Sequence, residues 1–221
     1  MDSATVWPIL LGGGISLVSS VSVFSLATWT ASHQRTKEIR KAEANRAYHA
    51  FYKLLSTYNF IEKNAQVLDS AFNEFGGPNP SLEPAAFVRP IVSAGTLFEL
   101  VTSEDLKFLL DSDGGLASRI YELQFRALHA DVALTRFNRA REEYDVFLES
   151  HITSVDGGGF TFNLEGTDKL LDEVKAGSVN QIIGSLVEYF EKDRKEAKLL
   201  LQEFNSAARS HFGSDFPSLE F

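Results

Sequence analysis

Apolar residues recur along this chain at alternating steps of four and three over three long stretches. The first runs Ala47, Phe51, Leu54, Tyr58, Ile61, Ala65, Leu68, Phe72 and Phe75, an unbroken row of four heptads. Side chains at these steps share one face of an α-helix, so the row predicts the seam of a helical bundle with Ile61 buried at its middle and its neighbours Glu62 and Lys63 outside it. The rhythm returns at Leu116, Ile120, Leu123, Ala127, Ala130, Leu134, Phe137, Arg141, Tyr144 and Leu148. It returns again at Val179, Ile183, Leu186, Phe190, Asp193, Ala197, Leu200, Phe204, Ala207 and His211. Tyr121, Phe125, Leu128 and Val132 widen the second stripe beyond a bare two-stranded seam, which suits a globular bundle.

Glycine and proline divide these stretches. Gly76-Gly77-Pro78 ends the first helix, and no proline lies between Pro8 and Pro78, so that helix can run on from the N-terminal region. Pro84 fits the first turn of a short helix, which Pro90 kinks or restarts. Thr102-Ser103-Glu104-Asp105 reads as an N-terminal cap before Leu106, and Ser112 or Asp113 as the cap of the helix that follows Asp113-Gly114-Gly115. In 150–166, Ile152 and Val155 precede a glycine-rich turn and Phe160, Phe162 and Leu164 alternate with polar residues, the pattern of a β-hairpin over 151–165. The expectation is an all-α antiparallel bundle with long helices near 31–75, 114–149 and 177–212.

The N-terminal stretch obeys a different rule. Residues 3–34 contain no Lys, Arg, Asp or Glu, and the chain's two tryptophans, Trp7 and Trp29, bracket most of them. Twenty-two helical steps between them cover about 33 Å, against roughly 30 Å for a bilayer's hydrocarbon layer whose interfaces tryptophan favours. A single membrane-spanning helix is expected within 1–30. Ser25-Leu26-Ala27 has the form of a signal-peptidase site, but no positive charge precedes the apolar run. Gly12, Ser16 and Ser20 recur every four residues on one face, as in helices that pair closely within a membrane.

Charge sets the orientation. Arg35, Lys37, Arg40, Lys41 and Arg46 stand against Glu38 and Glu43, a net of +3 over a basic juxtamembrane segment at 31–46. Those basic residues serve topology or contact with anionic lipid, and they place the N-terminus outside the cell (inner) membrane and the bundle, 47–221, in the cytoplasm. The whole chain is −9 and Asp2 is one of those charges, so 47–221 carries −11. So acidic a body repels phosphate backbones, which excludes nucleic acid as a partner.

Little chemistry is legible. Cysteine is absent, removing disulfides, thiolate nucleophiles and cysteine-bound metals. The five histidines include no HExxH or ExxH, so zinc and di-iron spacings are missing. His49, with Lys53 four residues on, reads as an interfacial histidine rather than a phosphotransfer site. Gly157-Gly158-Gly159 lacks the Lys-Ser/Thr of a phosphate loop, and "DSDGG" at 111–115 reads as a turn and cap, not a calcium loop. Arg141 and Asp193 interrupt two seams with opposite charges. They form a buried ion pair fixing helix register, or each reaches water at a seam edge. No catalytic, cofactor or metal residue is assigned. The expected function is a non-enzymatic interaction or scaffold module anchored in the lipid bilayer, with a second copy of itself and an unidentified protein as partners. The alternative is a signalling or stress-response component relaying a state through the membrane helix.

Overall fold

The computed structural model describes residues 3–73, 83–91, 98–156 and 159–217. It describes their side chains from residue 24 on, apart from 154–156, 159, 160 and 162. The first seam belongs to a helix much longer than a bundle requires. α1 spans Ser3–Ala71, 69 residues, or roughly 100 Å at 1.5 Å per residue. It passes without a break from the uncharged N-terminal stretch into the bundle. The side chains of residues 1–23, including Trp7, Gly12, Ser16 and Ser20 and most of the expected span, lie outside the described residues. Among the described residues, no helix is long and apolar enough to cross a membrane.

After a 3-10 turn at Pro84–Ala86 come α2 (Lys107–Ser112), α3 (Gly114–Glu149), a hairpin of β1 (Ile152–Asp156) and β2 (Gly159–Phe162), and α4 (Thr167–Phe212). The fold is all-α but for that hairpin, whose strands pair antiparallel with Ile152 opposite Phe162 and Val155 opposite Phe160. The cap read at 102–105 closes a turn ahead of α2 instead: Thr102 N–H donates to Asp105 Oδ2 at 2.9 Å and Asp105 N–H to Thr102 Oγ1 at 3.2 Å, while Leu106, the N-cap of α2 itself, makes no side-chain cap bond. The Asp113 carboxylate caps α3 by accepting from Leu116 N–H at 3.0 Å. Glycines at positive φ, Gly166 at 55° and Gly213 at 63°, flank α4, a conformation that side-chain-bearing residues rarely adopt. α4 therefore begins ten residues before the expected start at 177. Leu170, Leu171 and Val174 on that extra length face solvent, so no core periodicity announced it.

α4 lies between α1 and α3 and runs antiparallel to both. Against α1, Phe51 meets Phe204, Phe60 meets Phe190 and Glu62 pairs with Arg194. Against α3, Arg119 pairs with Glu203 and Tyr144 bonds Asp172. α1 and α3 are thus parallel, and the chain between them must descend the length of the bundle. Its described parts, 83–91 and 98–106, form a strap that holds one 3-10 turn and no long helix. Ala85, Val88, Ile91, Val101 and Leu106 bury their side chains along it.

Beyond its few turn bonds the strap cannot satisfy its own backbone as a long helix does, and buried N–H and C=O groups need partners. Side chains of the neighbouring helices supply them. Asn180 accepts from Ala85 N–H at 2.6 Å, and Asn138 both accepts from Ile91 N–H and donates to Ile91 C=O at 2.7 Å. Gln124 accepts from Val101 N–H at 2.8 Å and donates to Thr57 on α1 at 3.0 Å. Arg141 donates to Ala85 C=O.

Apart from Phe75, which lies outside the described residues, the seams lie along the core with two adjustments. On α4 the buried row ends on Ala208 and Phe212, not Ala207 and His211, because a straight helix of 3.6 residues per turn drifts from a 3.5-residue repeat. On α1, Thr57 and Asn64 are buried beside the apolar row while Tyr58 is only half-buried, since α4 and the strap press on it from two sides.

Candidate functional site

The face of α3 turned away from the core is also apolar. Phe125, Leu128 and Val132 are 55%, 36% and 47% exposed, with Tyr121 half-buried one turn before them. These residues were expected to widen the buried stripe. They lie opposite it, because three packed elements already fill the inner face and a wider contact has nothing to meet. The result is a second 4-3-4 row along the outside of the helix.

Beside this row, between α3 and α4, opens a cleft of about 290 Å³ lined by Arg126, His129, Ala130, Ala133, Ser185, Leu186 and Tyr189. Its floor is alanine and leucine, and its charge is already engaged. The Arg126 guanidinium donates to both oxygens of Asp193, at 3.2 and 2.9 Å, and to Glu196 at 2.7 Å. Burial alone would lower the Arg126 pKa, but those two carboxylates hold it above its ordinary value. Burial, then the charge of Asp193, pushes the Tyr189 hydroxyl far above the usual tyrosine range. An arginine held by two carboxylates and a neutral phenol suit the wall of a docking surface better than proton transfer, for which a group poised near neutrality is needed. Among the described residues no group of three or more His, Asp or Glu could hold a metal ion.

Arg141 and Asp193 are both buried, as their seam positions imply, but they do not pair with each other. Asp193 is held by Arg126. Arg141 donates to Asp145 at 2.7 Å, one turn along α3, and to the strap at Ala85. Antiparallel packing sets the level of each residue: Asp193 on α4 lies opposite Arg126, four turns below Arg141. The ion pair that the seams concealed is Arg126–Asp193. Arg126 flanks its seam, so periodicity gave no sign of it.

The basic segment divides into two sets. Arg40 donates to the carbonyls of His211 and Phe212 at 3.2 and 3.4 Å and lies 3.7 Å from Asp215, so it caps the C-terminal end of α4. Arg46 pairs with Glu104 at 3.0 Å. Arg35, Lys37 and Lys41 are exposed and make no ion pair among the described residues. Trp29 is exposed and stacks on His33, ring centroids 5.6 Å apart. His49 is exposed rather than interfacial.

Sequence reasoning passed over the side chains that hold the strap. Gln124, Asn138 and Asn180 read as ordinary polar positions beside a seam, and their partners are 23 to 95 residues away. Comparison with protein-family models, with curated proteins and with solved structures finds no match to this chain.

Proposed function

We propose that the protein is a membrane-anchored, non-enzymatic interaction module, its N-terminus on the outer side of the cell (inner) membrane and its bundle at the cytoplasmic face. The observation that carries the interaction reading is the outward row of α3. It leaves three large apolar side chains in water on the same rigid helix that builds the core, and contiguous apolar surface beside a cleft marks a docking site. Anchoring is supported by the uncharged 3–34 segment, by the continuity of α1, and by Arg35, Lys37 and Lys41 standing where the span would end. Chemical crosslinking in intact membranes yields a higher-mass adduct that Phe125→Asp abolishes while the variant's melting temperature is unchanged. An adduct that survives Phe125→Asp overturns the assignment of this face.

The unbroken α1 favours one second reading, a relay. Any rotation of the span passes directly into the bundle, since no hinge intervenes between the two. Inserting one to four alanines after Ser32 turns the bundle by about 100° per residue relative to the span. A scaffold keeps its adduct throughout, whereas a relay loses it and regains it near four insertions.

A further inference from the structure

We propose that the occupant of the outward α3 row is a second copy of this chain, docked with the two α3 helices parallel. The proposal rests on the membrane-anchored interaction reading for the direction of the helices, and on the charges of α3 for their register. Tyr121, Phe125, Leu128 and Val132 follow the d-a-d-a steps of a two-stranded coiled coil. In a parallel pair, the residue before an a position on one helix meets the residue five further on in the other. Asp131 and Arg136 hold those two positions, so two symmetric Asp131–Arg136 pairs flank the Val132 layer.

Arg136 stands apart from the other arginines of α3, and Asp131, like Glu122 and Glu142, is an acidic residue of that helix left over from the pairing. Arg119, Arg126, Arg139 and Arg141 on the same helix each pair with a carboxylate of their own chain, whereas Asp131 and Arg136 form no ion pair among the described residues. An antiparallel alignment that keeps all four layers sets Asp131 opposite Gln124 and carries Arg136 past the last layer, leaving both without a partner. Anchoring leads to the same choice independently. Two chains inserted in one direction are related by a two-fold axis along the membrane normal, so like helices pair parallel. The four layers span about 16 Å of helix, less than the roughly 800 Å² per partner of a stable interface demands. The pair is weak in free solution and gains its occupancy from confinement in the membrane, which raises effective concentration toward the millimolar range.

Because the chain has no cysteine, Val132→Cys gives the full-length protein a single thiol for oxidation in membranes. Parallel pairing places the two thiols in one layer and yields a disulfide-linked dimer; antiparallel pairing holds them about 16 Å apart, beyond disulfide reach. Lys198→Cys, exposed on α4, reports random collision. On the Val132→Cys background, Asp131→Arg or Arg136→Asp alone lowers the dimer fraction at least fivefold, and the two together restore it. No dimer above the Lys198→Cys level, or a double exchange that fails to restore it, overturns the proposal. Carbonate extraction of the same membranes separates the two readings. A retained chain without the Val132 crosslink overturns the pairing alone. Release overturns the anchor, and the crosslink is then decided on the released protein.

Discussion

At the level of single residues, the charge beside a buried position matters as much as the position. Ile61 is fully buried in the α1 seam, and Ile61→Asp places an unpaired carboxylate among apolar neighbours at a cost of several kcal/mol, comparable to the stability of a small domain. Its neighbours Glu62 and Lys63, both outside the seam, differ from one another. Lys63 is exposed and tolerates alanine within about 0.5 kcal/mol. Glu62 accepts two bonds of 2.6 Å from Arg194 on α4, and those bonds hold its carboxyl below the usual range. Glu62→Ala costs about 1 kcal/mol; thermal melting of the three variants side by side checks the order. Asp193 gives a sharper test, since its side chain is 1% exposed. Arg126→Met leaves that carboxylate buried alone and costs about 3–5 kcal/mol, while adding Asp193→Leu recovers most of the loss. A double variant no more stable than Arg126→Met would show that the pair is not buried as described.

Among the elements, the strap differs most from the helices around it. A helix closes its own hydrogen bonds, whereas the strap takes side-chain partners from α3 and α4 for the backbone of Ala85, Ile91 and Val101. Asn138→Ala removes both bonds to Ile91, and two buried backbone groups left without partners cost about 1–3 kcal/mol each. Hydrogen exchange checks this: protection falls first at Ile91 and Val101, and only later in the α4 core. Substitution of Gln124 acts more widely, because the same amide also bonds Thr57 of α1. The basic segment of α1 is likewise a working part of the bundle, with Arg40 covering the carbonyl end of α4. Arg40→Ala frays that end and exposes Phe212, whereas Lys37→Ala, on the same segment, leaves melting unchanged.

For the molecule as a whole, titration offers a test with a fixed sign. The carboxyl of Glu62 is lowered by its bonds to Arg194; that of Asp105 is lowered by Lys53 and Thr102 against the opposing effect of burial. Their contribution to stability is complete above the unfolded carboxylate range of ~4 and is lost as pH falls through the lower folded values. The Tyr144 hydroxyl is pushed up to about 12 by burial and its bond to Asp172. Its contribution is complete below the unfolded tyrosine value of ~10 and is lost as pH rises toward the folded one. Denaturant midpoints are therefore flat between those limits and fall on both sides, and Glu62→Gln removes part of the acid limb. How much of this was legible follows from the range of each interaction. The three seams, the α3 boundaries at Gly114–Glu149, the Asp113 cap and the hairpin follow from residues within a few positions of one another, where local geometry alone sets the outcome. The strap, the partners of Arg141 and Asp193, and the solvent-facing side of Tyr121, Phe125, Leu128 and Val132 depend on which helix lies at which level of its neighbours. No periodicity encodes that level, because a seam states that a face is covered and not what covers it.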